Sequence, residues 1–453
     1  MCKKIIYLYI TILCFAFFSN CFAASDLPYK EGELIVKFAP KTNGKQKTAQ
    51  EHNKILSSLN AGTVKKSLKL VPGLTLVKLP QGHKVADSLS KFKGKSEILY
   101  VEPNYKIKLY STTPNDPCFT YQWGMHNTDP NYGTPDADID ASEVWGIIHD
   151  ACDIIVAVID TGVNYTHPDL AANMWTDANG HHGYDFVNND NDPNDDLGHG
   201  THCAGIIGAR GNNATGVAGV CWNVKIMALK FINSSGYGWS YDAIECINYA
   251  VQWGAKVLSN SWGYDQDNQY LTNVQALKDA IDSANANGVL FIAAAGNYPQ
   301  TPWFDNDADP VYPANFDCSN IISVMATDRY DSISYFSHYG LTTVDLGAPG
   351  TNILSTFPTY QTDYMLLYGF STDYETISGT SMAAPHVAGA CALVWAAHPN
   401  LTHLQVKDVI MQSVDPLASL NGLCVTGGRL NLFNAVTATI PPLYLTKTDN
   451  APA

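Results

Sequence analysis

The first 110 residues of this 453-residue chain contain no arginine. No cysteine pair has the close CxxC spacing of a zinc site, which argues against structural zinc. No segment repeats at a fixed period. The one segment that could enter a membrane, Ile5 to Phe18, falls short of the ~20 apolar residues a spanning helix needs. Charged residues make up only 15% of the chain against 46% hydrophobic, far too apolar for a disordered protein. Collagen, coiled-coil and multi-span membrane classes are out. At about 100–200 residues per domain, the length allows two or three domains with real cores.

The charge is unevenly spread. Residues 1–110 hold 18 lysines against 7 acids, a net +11, and the remainder holds 9 basic against 35 acidic residues, a net −26, which together make the formal −15. Parts this different have separate physical roles. An acidic major portion argues against a nucleic-acid partner, because phosphate contacts need clustered Lys and Arg.

Lys3 and Lys4 precede the apolar run, and Ala23 and Ala24 follow it. That is the pattern of a secretory signal peptide over residues 1–24. It removes Cys2, Cys14 and Cys21 and leaves eight cysteines, whose pairing spacing cannot reveal. Cys203 and Cys391 fall in apolar helical patterns and read as buried free thiols.

Residues 25–110 read as a small α+β domain. Strands are expected at Glu33–Phe38, Leu74–Leu79, Ile98–Val101 and Tyr105–Leu109, with helices at Thr48–Leu59 and Val85–Phe92. After a linker near Ser111–Pro117 the pattern becomes α/β over residues 111–436. Ile154–Ile159 is an unbroken apolar run of the kind buried on both faces, echoed at Val224–Leu229, Val257–Ser259, Val289–Ala294 and Ile321–Ala326. Helical stretches at Tyr241–Trp253 and Asn273–Asn287 lie between them, so a doubly wound, mainly parallel sheet is expected. Residues 437–453, with Pro441–Pro442, read as a tail without a core pattern.

Three segments carry chemistry. Asp160 closes the strand in Val158–Ile159–Asp160–Thr161–Gly162. His199, in Gly198–His199–Gly200–Thr201–His202, opens an apolar helix. Ser381, in Gly379–Thr380–Ser381–Met382–Ala383–Ala384–Pro385, heads a nearly all-apolar one. Pro385 is tolerable there because early helix positions need no N–H partner. Each segment alone is better explained by packing than by chemistry. Together they supply what acyl transfer needs: a hydroxyl nucleophile, an imidazole base and a carboxylate that fixes the base's tautomer. Asn297, in Ala294–Ala295–Gly296–Asn297, adds an amide that can donate to an oxyanion together with the Ser381 backbone N–H. His202 and His386 read as hydrogen-bonded core histidines.

With Asp, His and Ser in this order inside IDTGV, GHGTHCAG and GTSMAAPHVAGA, the chain from Pro114 to Val436 resembles the subtilisin-like serine proteases, nearest the thermitase branch. The front segment resembles their inhibitory propeptide, through Leu34–Phe38 and Tyr100–Tyr105. The resemblance implies a secreted serine endopeptidase made as a self-processing zymogen. Its propeptide would act as an intramolecular inhibitor, and self-cleavage would fall between about Leu109 and Thr113. Its partners would be protein or peptide substrates, with no nucleic acid and no membrane after signal removal, and it would be a monomer. Ser261–Trp262–Gly263 and Ala294–Ala295–Gly296 would flank the pocket for the P1 side chain, and Gly236–Tyr237–Gly238 would pair with the substrate strand. Walls of Ala, Gly and Trp imply apolar P1 residues, with Tyr298 and Val311 setting the depth and Tyr312–Pro313 a cis peptide beside it.

No organic cofactor is implied, but structural Ca²⁺ is, because it takes six to eight oxygens from carboxylates, amides and carbonyls. The resemblance assigns one site to Asp116, Asp169 and Asn213 with the carbonyls of Arg210, Thr215 and Val217, and another to Asp185, Asp190, Asp192 and Asn194. Two other readings remain at this stage: a binding protein on a retired protease fold, and an esterase using the same machinery.

Overall fold

The computed structural model describes residues 29–105, 112–264, 274–297 and 304–439. The signal segment, residues 106–111 around the expected processing point, Tyr298 and residues 440–453 of the tail lie outside them. The chain forms two compact units, Met1–Leu109 and Tyr110–Ala453.

The first unit comprises β1 (Tyr29–Phe38), α1 (Ala49–Ser58), β2 (Thr63–Ser67), β3 (Leu74–Lys78), α2 (Val85–Leu89) and β4 (Ile98–Tyr105), in an antiparallel sheet of order β2-β3-β1-β4. A capping box starts α1: the Thr48 hydroxyl accepts from Glu51 N, and the Glu51 carboxylate accepts from Thr48 N. Leu34, Val36, Phe38, Leu56 and Val77 form its core. The expected strands at Ile98–Val101 and Tyr105–Leu109 are one continuous strand as far as Tyr105. Strand β2 escaped the sequence reading because Thr-Val-Lys-Lys-Ser has no apolar alternation and is mostly exposed.

The second unit begins with the short helix α3 (Ala141–Val144) and continues with β5 (Asp150–Asp160), β6 (Gly183–Asp185), α4 (His199–Gly208) and β7 (Asn223–Lys230). Next come α5 (Ser240–Gln252), β8 (Val257–Asn260), α6 (Gln275–Ala286), β9 (Leu290–Ala294), β10 (Ile321–Thr327), β11 (Leu346–Pro349) and β12 (Ile353–Thr356). Then follow α7 (Asp363–Tyr368), β13 (Tyr374–Ile377), α8 (Thr380–Ala397), α9 (His403–Gln412), β14 (Asp415–Pro416), β15 (Gly428–Arg429) and α10 (Leu432–Val436).

The main sheet has the order β14-β15-β11-β10-β9-β8-β5-β7-β6 and is parallel except for the β14–β15 edge. Period-2 geometry explains the unbroken apolar run in β5. Val156 and Val158 pack on one face with Ile207 of α4 and Val387 and Cys391 of α8. Ala157 and Ile159 pack on the other with Ile247 of α5 and Ile281 of α6. Helix α8 alone among the described residues is long and apolar enough to cross a membrane; it is instead the buried core helix of this layer.

Pro385 is the sixth residue of α8, beyond the first turn, so the early-position argument does not account for it. A residue with an N–H there would have bonded the Ser381 carbonyl. That oxygen accepts instead from Ser261 Oγ at 2.9 Å and from Cys203 Sγ at 3.4 Å. All eight cysteines of the described residues are free thiols.

Strand β5 lies between β7 on one side and β8 on the other, where the winding reverses. Ligands of doubly wound sheets bind outside the carboxyl ends of strands at such a switch point. Asp160, Asn260 and Ala294 end β5, β8 and β9 at that edge.

Candidate active site

Asp160 is fully buried, and its Oδ1 sits 2.8 Å from His199 Nδ1 and accepts from Thr161 N at 2.7 Å. His199 reaches it because α4 starts almost against the end of β5. A Cβ at Gly200 would lie 2.1 Å from the Gly162 carbonyl and 3.1 Å from Asp160 Cβ. Gly198, at φ 126°, turns the chain into the helix in the region that favours glycine. Burial pushes the His199 imidazole down, yet the Asp160 charge, its hydrogen bond and the field of Asp195 together raise its pKa above the ordinary histidine value.

Ser381 lies in the first turn of α8, and its hydroxyl donates to the Ser261 carbonyl at 3.1 Å. Nucleophilic attack requires that O–H to turn from the carbonyl to the imidazole, a rearrangement common between resting and substrate-bound sites. Asn297 follows β9. Its Oδ1 accepts from Thr380 N at 2.8 Å and Thr380 Oγ1 at 3.0 Å, which fixes the amide with Nδ2 as the outward donor. A Cβ at Gly379 would lie 3.5 Å from Ser381 N and 3.6 Å from Asn297 Nδ2, so both donors flank one point that glycine keeps open. His199, Asn297 and Ser381 line a single cavity of about 480 Å³. A larger cavity, about 660 Å³, lies beside Asp150–Ile154 at the start of β5 and contains none of them.

A profile of the Subtilase family (Peptidase S8) matches residues 152–434, which carry all four of these residues. The chain belongs to the subtilase family. A profile of the Fervidolysin N-terminal prodomain matches residues 20–104, so this subtilase carries a prodomain. It is 35% identical over 410 residues to the thermophilic serine proteinase of Bacillus sp. (strain AK1), covering 90% of this chain and 88% of that one. It is 37% identical over 324 residues to thermitase of Thermoactinomyces vulgaris, covering 72% of this chain and 99% of that one. Among solved structures it resembles a protease from Pseudoalteromonas arctica, with a TM-score of 0.59 and 28% identity, covering 72% of this chain and 99% of that one. This subtilase is a serine endopeptidase.

The remaining expected positions are distributed around these four residues. Ser261, Trp262 and Gly263 follow β8, but the Trp262 indole donates to the Ile159 carbonyl at 2.9 Å and packs against Phe231 and Phe291. Its half-buried ring packs beside the α5–α6 layer. Gly263, Val311 and Tyr312 are neighbours, and the Tyr312–Pro313 bond is cis. Ala294, Ala295 and Gly296 end β9, with Gly296 packed against His338. Gly236 and Tyr237 close a turn in which Asn233 N donates to Tyr237 O at 2.9 Å, and Gly238 bridges Ile232.

For the expected calcium residues, Asn213 Nδ2 donates to Asp169 Oδ1 at 2.7 Å, and the Asp116 carboxylate accepts from Asn212 N and Asn213 N. Arg210 N donates to the Asp169 carbonyl, Thr215 N to Asn213 Oδ1, and Val217 N to Asp169 Oδ2. Burial raises the pKa of both Asp116 and Asp169. Asp185 has both carboxylate oxygens engaged, by Val187 N and Asn188 N on one and Asn188 Nδ2 on the other. Asp190 Oδ1 accepts from Asp192 N, and Asp192 Oδ1 from Tyr165 OH. Asn194 lies in the same loop, and its carbonyl is close to Gly162.

Three features escaped the sequence reading. Asp195 is buried and accepts five hydrogen bonds, from Thr161 Oγ1, Leu197 N, Gly198 N, Thr201 N and Thr201 Oγ1. It ties the residue after Asp160 to the start of the His199 helix; its place four residues before His199 was the available signal. Lys230 is also buried, and its Nζ donates to Asp196 Oδ1 at 2.6 Å and to the Thr161 and Ile232 carbonyls. Among the described residues, Asp138, Asp140 and Glu143 bring ligand atoms within 4.8 Å of one another. Burial pushes Asp138 up to about 8 and Asp140 up to about 7.

Proposed function

We propose that this subtilase is a secreted zymogen that loses residues 1–24 as a signal and 25–110 as an inhibitory propeptide. The mature enzyme, with its catalytic domain at 111–436 and a tail at 437–453, then cleaves proteins after large apolar residues. The observation that carries the catalytic part is the 2.8 Å Asp160–His199 contact at the cavity that also holds Ser381 and Asn297. His199 Nε2 takes the Ser381 proton as Oγ attacks the scissile carbonyl, then delivers it to the leaving amine. Asp160 holds Nδ1 protonated and stabilises the imidazolium. Ser381 N–H and Asn297 Nδ2 take the oxyanion. Water then deacylates the enzyme by the same proton route.

Secretion is supported by Lys3, Lys4 and the apolar run that follows them, and the apolar P1 preference by Ala and Gly in 261–263 and 294–296, which offer no charge to a side chain. The test is mass spectrometry of the purified protein before and after a serine-directed phosphonate. Expected are a new N-terminus near residue 110 and one adduct on Ser381. An unlabelled chain that retains residues 25–110 through purification refutes the zymogen reading, and a peptide-library profile dominated by Arg or Lys at P1 refutes the preference.

Calcium fits the first set of residues, since Asp116 and Asp169 are buried carboxylates with raised pKa whose hydrogen bonds come from backbone N–H groups, an amide and a phenol rather than from a cationic side chain. A bound Ca²⁺ would neutralise that charge and join the segment at Asp116 to the 210–217 loop. The second set fits only if Asp185 exchanges donors it now holds. Chelation of the mature enzyme is therefore expected to lower Tm and accelerate autolysis, by mass action on the native state. An unchanged Tm in excess chelator removes calcium from this account.

A further inference from the structure

Strands β12 and β13 form an antiparallel hairpin, with Thr356 paired to Tyr374. Hairpin connections usually have about two to five residues. This one runs over residues 357–373 and carries its own helix, α7. Its base is closed by Phe357 N donating to the Asp373 carbonyl at 2.7 Å and Asp373 N to the Pro358 carbonyl at 3.1 Å. It is fastened to the loop before His199 as well. Tyr360 OH donates to the Asp195 carbonyl, and Thr362 Oγ1, which also caps α7, donates to the Leu197 carbonyl at 3.2 Å. Strand β13 leads directly through Ser378 and Gly379 to Ser381. The connection is therefore built onto both the base and the nucleophile.

What it presents there is apolar. Phe357 and Phe370 stack edge to face at 5.7 Å, and Phe370 lies 6.2 Å from the Tyr364 ring. These three rings and Met382 line the cavity that holds His199, Asn297 and Ser381, and no Asp, Glu, Lys or Arg lines it. None of the segments 236–238, 261–263 and 294–296, expected to hold the acyl side of a substrate, lines it either. With those segments on the acyl side, as proposed above, this cavity serves the other side of the scissile bond. On the same helix as Tyr364, α7, Leu366, Leu367 and Tyr368 are 66%, 77% and 60% exposed, and the Tyr368 ring lies 4.5 Å from that of Tyr364. Tyr368, packed against a ring that lines the cavity, extends that apolar surface outward to solvent.

We infer that the β12–β13 connection is a specificity element for the leaving-group side: it accepts large apolar or aromatic side chains on the first two residues after the cleaved bond. The inference rests on the proposed peptidase reaction and adds a second selectivity, independent of P1. By microscopic reversibility, the same surface selects the amine that attacks an acyl-enzyme. The amine nitrogen bonds to the acyl carbon, the bond from that carbon to Ser381 Oγ breaks, and the amine proton passes through His199 Nε2 to Oγ.

The test uses mature enzyme and one activated peptide ester, with Leu-Phe, Gly-Gly and Lys-Lys dipeptide amides as competing acceptors. Aminolysis is measured against hydrolysis of the same acyl-enzyme, so the overall rate cancels. Leu-Phe amide should be preferred over Gly-Gly by about tenfold or more. Tyr364→Ser with Phe370→Ser should remove most of that preference, and Tyr364→Phe should retain it. Tyr368→Asp, at an exposed position packed against Tyr364, should raise Lys-Lys relative to Gly-Gly by about two- to fivefold. A flat ratio across acceptors on an acyl-enzyme that does form, or a preference that survives the double substitution, overturns the inference and leaves the peptidase reading standing. Failure to form an acyl-enzyme, with Ser381 unlabelled by phosphonate, overturns both.

Discussion

Ser381→Ala is expected to lower kcat on a peptide substrate by about 10⁶, the loss that removal of the nucleophile causes in a subtilisin. The magnitude is taken over from that relative; the reason for expecting it here is local. Ser381 Oγ is the only hydroxyl of the proposed triad, and Thr380 Oγ1 beside it is bound to Asn297 Oδ1 at 3.0 Å and cannot take its place without freeing the amide proposed for the oxyanion. The residual rate should stay above the uncatalysed one, because Asn297 Nδ2 and the backbone N–H of the substituted residue can still stabilise an oxyanion. The fold should be little changed. The Ser381 groups that organise α8 are its backbone atoms, whose carbonyl accepts from Ser261 Oγ and Cys203 Sγ, and alanine keeps them. The same protein, expressed alone, should keep residues 25–110 attached. Efficient processing of Ser381→Ala in isolation would show that the propeptide cut is made by another enzyme.

Asp160→Asn carries the second-largest expected effect, a fall in kcat of about 10⁴ with the cavity geometry intact. With a carboxylate at 2.8 Å, His199 Nδ1 must carry the proton and Nε2 presents its lone pair to Ser381. An amide can instead donate to Nδ1, which moves the proton to Nε2 and leaves no base facing the hydroxyl. The pH profile gives an independent readout. The base must be neutral, so activity rises as pH increases through the His199 pKa, which lies above the ordinary histidine value in the native enzyme. Removing the Asp160 charge deletes the main influence that opposes burial, so the rising limb of the residual activity should move to lower pH. A limb that stays in place would mean that Asp160 does not control the imidazole.

How much of this is legible in the sequence differs by residue. The strand ending at Asp160 announces itself because burial on both faces of a parallel sheet demands an unbroken apolar run, and Ile154–Ile159 is one. Helix α8 is visible for the related reason that it is apolar all round. Strand β2 and the edge pair β14–β15 are not, since short, exposed or two-residue strands leave no periodicity to read. Trp262 shows the limit at the site: its position after β8 can be placed, but not the hydrogen bond from its indole to the Ile159 carbonyl. The tolerance of Pro385 likewise depends on donors from residues 261 and 203, far away in the chain.

By itself, then, the sequence determined the doubly wound class and the family and singled out the four residues proposed for the chemistry, because periodic burial and short motifs are local properties. Only the tertiary structure decided how those residues are held. Asp195 and Lys230 became visible as the buried ties beneath the triad, and residues 357–373 as an apolar wall facing His199 and Ser381. These depend on contacts between residues tens to hundreds of positions apart. Such contacts are set by the order in which parallel strands are laid side by side, and no window of sequence contains that order.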